Sequence, residues 1–321
     1  MEASQEDLVF QAWNHLELEE YEEAEKLASS LMKLPEEAGF RIQSMIWVAR
    51  ENEQKALEVL EQGLTALPNE WHLWLQYGNM LSQVGRFEEA LESFDNGLAT
   101  EPDQPAWLYL NQAVVYFRQG QIDEALTLLQ SIDDPAVITE AFSLQLSMLD
   151  QVDRHDLILE IATDELEILP VPETMEEASK LSQICSQIAN AAWYEDKSKE
   201  EVFHYLRQSI SFDRTNPQAI WLWREAYPEF IDSPKEFQLL VQGRFQTQEG
   251  QEEQSLFLTT YALVAGSTDH ALRLIQAYEI EEVNTETLEI LEVEEGESES
   301  AQAVGIYEVG GFGILDPDEN V

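Results

Sequence analysis

Basic residues are scarce in this chain. Its 321 residues hold 17 Lys and Arg against 64 Asp and Glu, a formal charge of -47. Nucleic-acid binding rests on Lys and Arg neutralising phosphates, so a nucleic-acid partner is not expected. Anionic membrane surfaces are disfavoured for the same reason. Cysteine is almost missing too. Cys185 stands alone, no internal disulfide can form, and the expected compartment is the reducing cytoplasm. It sits in LSQICSQIANAAW, a segment with no basic residue to lower its pKa, and reads as a buried thiol rather than a reactive one.

Long hydrophobic runs are missing as well. No stretch approaches the roughly 18 apolar residues of a membrane span, so membrane insertion is not expected. The opening MEASQEDLVF carries acids where an export leader carries Lys or Arg, so no leader is expected. The histidines His15, His72, His155, His204 and His270 are scattered, with no HExxH pair, phosphate-cradling glycine loop or nucleophile elbow. The chain therefore reads as non-enzymatic, with no catalytic residue, cofactor or metal expected. Acid clusters such as Glu19, Glu20, Glu22, Glu23 and Glu25 read as a solvated helix face.

What is present is an internal repeat. WLQYGNMLSQVGRFEEALESFDNGL from Trp74 aligns without gaps on YLNQAVVYFRQGQIDEALTLLQSI from Tyr109, placing Gly78 on Ala113, Gly85 on Gly120, Phe87 on Ile122, Ala90 on Ala125 and Leu91 on Leu126, all 35 residues apart. This spacing predicts a helix, a tight turn and a second helix. Gly78 and Ala113 are small where two helices cross, Gly85 and Gly120 supply a left-handed turn, and Ala90 and Ala125 let the second helix approach the first. Pro68 and Pro102 end second helices.

These residues resemble the tetratricopeptide repeat family, whose pattern of Trp, Leu-Gly, Tyr, Gly, Ala, Phe, Ala and Pro runs over about 34 residues. Residues 71–104 follow it best, with Trp74, Gly78, Leu81, Gly85, Phe87, Ala90, Phe94, Gly97 and Pro102 in register. Weaker copies place Tyr21 and Ala24 like Phe87 and Ala90, repeat Ala56, Leu60, Gly63 and Pro68, and repeat the glycine-then-alanine spacing at Gly266 and Ala271. PQAIWLWREAYPEF with SPKEFQLLVQGRF reads as one further helical pair, and about eight such hairpins are expected over residues 5–280. The expected fold class is all-α: a right-handed superhelical solenoid of antiparallel helix pairs with an acidic C-terminal tail. Four or five recognisable repeats would fill residues 1–170, degenerate hairpins ending in a capping repeat 171–280, and a disordered acidic tail with a glycine-rich apolar end 281–321.

In this family the first helix of each pair lines the concave side. Carried onto this chain, the resemblance assigns to a peptide-binding groove Trp13 and Leu16, then Arg41 and Met45, then His72, Leu75 and Asn79. Trp107, Leu110, Val114, Phe117 and Arg118 follow, with Phe142 and Leu146. Asn79 and Asn111 resemble the asparagine pair with which chaperone-binding members hold a peptide backbone, an amide being both donor and acceptor. The basic clamp of those members is replaced by Leu75, Thr139 and Ser143, while Arg41 and Arg118 still offer charge. The alternative use of both asparagines is ordinary hydrogen bonding between helices.

Residues 281–321 hold 13 acids and no Lys or Arg. EVEEGESES reads as a solvated spacer, although TLEILEV alternates like a strand. VGIYEVGGFGIL then offers Ile306, Tyr307, Phe312 and Ile314 as a tail motif. Two functions stay open. One is a non-enzymatic scaffold or adaptor that binds a basic or apolar peptide or helix of a partner protein in the groove. The other is a carrier whose tail is recognised, processed or modified.

Overall fold

A computed structural model of the chain describes residues 4–246, 255–280, 283–298 and 302–315. The chain divides into two compact units, residues 1–145 and 146–321. The first is built from α1 (Gln5–Glu17), α2 (Tyr21–Leu31), α3 (Ala38–Ala49), α4 (Glu53–Ala66), α5 (Trp71–Gln83), α6 (Phe87–Leu98), α7 (Ala106–Arg118) and α8 (Ile122–Gln130). The helix α9 (Ile138–Gln151) begins in this unit and ends in the second.

One device recurs at the hairpin turns. The residue that reverses the chain between first and second helix has a left-handed backbone at Glu19 (φ 58°), Glu51 (φ 55°), Gly85 (φ 81°) and Gly120 (φ 78°). Glycine adopts this conformation freely, whereas a side chain there costs roughly 1–2 kcal/mol. The glycines expected at 85 and 120 are therefore turn residues, and the same turn is made by glutamates where the sequence hides it. Packing follows the small-residue logic. A Cβ on Gly78 would collide with Cε1 of the Phe94 ring, so the missing side chain in α5 is the seat of the fully buried Phe94 of α6.

First helices of successive pairs touch one another, α1 with α3, α3 with α5 and α5 with α7, while second helices of successive pairs are not in comparable contact. The first helices of unit 1 therefore lie closer to one another than its second helices do. Its cores are Ala12, Leu31, Ile42 and Ile46 at the start, then Phe40, Leu60, Leu73, Leu81, Phe94, Leu108 and Val115.

The second unit continues with α10 (His155–Ile168), α11 (Met175–Tyr194), α12 (Lys199–Phe212) and α13 (Pro217–Glu225). Asp153 (φ 55°) and Asp196 (φ 49°) repeat the left-handed turn before α10 and α12. Thr174 caps α11 with a reciprocal Glu177 bond, a capping box. Then the chain changes character. Strands β1 (Lys235–Phe245) and β2 (Leu256–Ala265), helix α14 (Thr268–Tyr278), and strands β3 (Val283–Glu297), β4 (Gly305–Val309) and β5 (Gly313–Leu315) follow. The sheet is antiparallel in order β3-β1-β2-β4, with β5 paired farther along β2.

This sheet corrects the expected all-α class. Residues 235–245, read as the second half of a helical pair, are a strand because Phe237, Leu239 and Val241 alternate with Gln238, Leu240 and Gln242. In β2, Phe257, Thr259, Tyr261 and Leu263 do the same, opposite Gly243, Val241, Leu239 and Phe237. The inward positions pack on Leu206, Ile210, Leu222, Ala271 and Ile275 of the helices. Gly266 thus lies in the connection between β2 and α14 and Ala271 within α14, not in a capping repeat.

The expected acidic tail is corrected as well. Residues 283–297 form an edge strand on β1, with Glu292 opposite Leu240 and Glu294 opposite Gln238. Its acids point to solvent, so pairing buries no charge, and the sheet hydrogen bonds supply what a small apolar area does not. Ile306 and Val309 of β4 join the core. Val304 N donates to Glu229 O at 2.7 Å and Gly310 N to Thr260 O at 2.8 Å. A Cβ on Gly310 would lie 2.5 Å from Thr260 Oγ1, which requires glycine at this close approach. The end of the tail, residues 316–321, lies outside the described residues.

Cys185 is buried in α11, and burial pushes its thiol up to about 12. A raised pKa depletes the reactive thiolate. Alkylation by iodoacetamide at pH 7 is therefore expected to run roughly a thousandfold slower in the folded chain than in urea, read by intact mass. Equal rates would remove the thiol from the core.

Candidate functional site

The residues that the repeat pattern assigns to a groove stand on α1, α3, α5, α7 and α9. Arg41 and Met45 stand on α3, His72, Leu75 and Asn79 on α5, and Trp107, Leu110, Asn111, Val114, Phe117 and Arg118 on α7. Leu75, Trp107, Leu110, Val114 and Phe117 are half-buried, while Asn79 and Met45 are exposed. Trp13 and Leu16 on α1 are half-buried, and Phe142 and Leu146 on α9 are buried.

Polar links between these helices join residues one repeat apart. Arg41 Nε donates to Gln76 Oε1 at 3.2 Å, and Gln76 Nε2 returns a bond to Arg41 O at 3.1 Å and another to Ser44 Oγ at 2.7 Å. Arg41 also pairs with Glu37 at 3.1 Å and lies over the Trp13 ring at 5.2 Å. Arg118 donates to Ser82 O at 2.8 Å and sits over Phe87 at 5.3 Å. Both cations are thus already engaged in holding neighbouring repeats together. His72 stacks on Trp71 at 3.8 Å and approaches Glu37 at 3.6 Å. Burial, with Arg41 adding to it, lowers the His72 pKa, while burial raises that of Glu37 above the usual carboxylate range.

The two asparagines are placed differently. Asn111 Nδ2 donates to Trp107 O of its own helix at 2.7 Å, and Asn79 faces solvent. Sequence reasoning missed Glu37, Ser44, Gln76 and Ser82 in these links. Their signal was the repeat period itself, since Gln76 lies 35 residues after Arg41 and Arg118 lies 36 after Ser82.

The tetratricopeptide repeat family model matches residues 48–113 and 81–137, the same residues that build α4 to α8. Residues 48–137 thus carry tetratricopeptide repeats. Among solved structures it is similar to PilW, a widely conserved type IV pilus biogenesis factor, at 19% identity over 69% of this chain and 100% of that one, with a TM-score of 0.49. It is also similar to TTC0263, a thermophilic repeat protein of Thermus thermophilus, at 22% identity over 43% of this chain and 79% of that one, TM-score 0.38. A third is YrrB, described as having an unusual peptide-binding site, at 14% identity over 59% and 93% of the two chains, TM-score 0.39. No curated protein matches the chain in sequence.

In the second unit of this repeat protein, the four residues of the tail motif are dispersed. Ile306 is a core residue, 2% exposed. Phe312 packs on Phe245 and Phe257, with ring centroids 5.0 and 4.6 Å away. Tyr307 lies at the surface under the Arg224 guanidinium, 3.8 Å from its ring centroid, and donates to Ala303 O at 2.9 Å. Ile314 is 71% exposed. Among the described residues, no helix is long and apolar enough to cross a membrane, and no three His, Cys, Asp or Glu side chains converge to hold a metal ion.

Proposed function

We propose that the chain is a non-catalytic interaction scaffold whose first-helix face takes an apolar or amphipathic segment of a partner protein. The observation that carries this reading is the run of half-buried apolar side chains on the adjacent helices α5 and α7, namely Leu75, Trp107, Leu110, Val114 and Phe117. Such a stripe fits the apolar face of a helix or alternate side chains of an extended peptide. The partner is basic outside its apolar contact, because a charge of -47 steers cations and repels acids. Arg41 and Arg118 are spent on internal bonds, which argues against a terminal carboxylate as the main anchor. Asn79 is the better placed of the two amides to hold a peptide backbone, since Asn111 already bonds within its helix.

Embedding of Ile306 and Val309 in the core favours this scaffold over a carrier with a processed tail, whose motif would have to leave the sheet. The test is capture of partners from the native cells on the full chain and on the double variant Asn79→Ala, Trp107→Ala. Truncating a central aromatic anchor costs about 2 kcal/mol or more, so a loss of roughly thirtyfold in affinity is expected, and binding by the parent chain should weaken as salt rises. Partners that bind the variant as tightly as the parent would place their site elsewhere.

A further inference from the structure

A cavity of different chemistry lies within the sheet-bearing second unit. It has a volume of about 420 Å³ and is walled by α12, α13, α14 and the start of β4. Cavities of a few hundred cubic ångströms are the size that small organic ligands fill.

Its lining departs from the acidic character of the chain as a whole. Lys199, Phe203 and Arg207 stand four residues apart on one face of α12, so a cation, an aromatic ring and a second cation line the cavity in a row. Trp223 meets Phe203 edge-on with centroids 4.5 Å apart, and Tyr227 lies 5.9 Å from Phe203 at 30°. The Lys199 ammonium is 5.3 Å from the Phe203 ring and 5.1 Å from that of Tyr227. Arg224, whose side chain is 9% exposed, forms part of the floor and is fixed by Glu225 at 2.7 Å and by Ile306 O at 3.0 Å. Three of the chain's 17 cations thus converge on one cavity. The acids on its lining, Glu200 and Glu229, are exposed at the rim.

We propose that this cavity is a binding site for a small organic anion with a flat apolar body, of the aromatic carboxylate class. The ring packs against Phe203 and Trp223, and the carboxylate is met by Lys199 and Arg207. Both cations reach from the surface and neither is held by a carboxylate in the described contacts, so their charge is available to a ligand. In the wall formed by Val304, Gly305 and Ile306, Gly305 has φ 146°, with Arg224 Cγ only 3.0 Å from where a Cβ would stand. A side chain at position 305 would crowd Arg224, another residue of the lining.

Calorimetric titration of the full chain with cinnamate and with its neutral isostere cinnamide tests this. Cinnamate is expected to bind at least tenfold more tightly than cinnamide, because a charge-assisted contact is lost with the carboxylate. The variant Lys199→Gln, Arg207→Gln, changed only at exposed positions, should weaken cinnamate about tenfold and leave cinnamide unchanged. Equal affinities for the two compounds, full cinnamate affinity in the double variant, or no cinnamate binding at about 1 mM would each overturn the assignment.

Discussion

Replacing Arg214 by methionine is expected to destabilise the second unit by about 3–5 kcal/mol, the usual result of leaving a buried charge without its partner. Arg214 follows α12, and its side chain is 7% exposed against 0% for Glu279, with which it pairs. Its guanidinium donates to Glu279, to Gly310 O, to Thr259 Oγ1 at 3.0 Å and to Tyr261 OH at 2.8 Å, and it covers the Phe312 ring at 3.9 Å. Tyr278 OH donates to Arg214 O at 2.5 Å. One side chain therefore ties β2, the end of α14 and the glycine-rich segment after β4. Burial and the Glu279 carboxylate hold the Tyr261 hydroxyl well above its usual pKa, so it remains the protonated donor to Glu279 into the alkaline range.

The comparison that decides the cause is the double variant Arg214→Met, Glu279→Gln. It removes the stranded carboxylate as well as the guanidinium, so it should lose less stability than Arg214→Met alone. Denaturant unfolding gives the energies, and hydrogen exchange in residues 256–265 and 305–315 locates the loss. A double variant at least as unstable as the single one would mean that Arg214 acts by packing instead of charge.

Phe94→Ala should cost the first unit a similar amount, about 3–5 kcal/mol, because it empties the seat that Gly78 leaves open. The buried ring meets the backbone of α5 where no Cβ stands, so no side chain at that position can relax into the void. The reverse change, Gly78→Ala, forces a methyl group against the ring and should cost about 1–3 kcal/mol, less whatever alanine returns in helix propensity. Combined with Phe94→Leu, it should cost less than the sum of the two single changes, since the smaller side chain makes room. Strict additivity in that cycle would show that the two positions do not share a contact in solution. Hydrogen exchange in the sheet of the second unit provides the control, and is expected to stay unchanged.

The helix pairs were legible where glycine marks their turns. Gly85 and Gly120 announce a left-handed backbone because few other residues take it without cost. Glu19, Glu51, Asp153 and Asp196 make the same turn and announce nothing, so the flanking pairs read as weak copies. The helices that carry the proposed groove residues were legible for a related reason, since the period of the repeat puts Arg41, His72, Asn79 and Trp107 on first helices. What the period leaves open is what those side chains already hold, and Asn111 spends its amide on Trp107 O.

The sheet was the larger miss. FQLLVQ and LFLTTYALV carry period-two alternation, yet they follow a long succession of helices, and Gly266 with Ala271 imitates a repeat boundary. The acidic run in β3 looked too poor in apolar surface to be ordered. A strand at a sheet edge needs backbone partners more than a hydrophobic face, and only β1 beside it supplies them.

By itself the sequence determined the helix pairs, their period, the small residues where helices cross, and the net charge, because these depend on local geometry and composition. Tertiary structure alone decided that residues 283–298 and 302–315 fold back, since their order rests on contacts made across the chain. Arg214 to Gly310, Val304 to Glu229 and β3 to β1 each join segments far apart in sequence. No local pattern records such a contact, for the enthalpy of a hydrogen bond belongs to both partners at once.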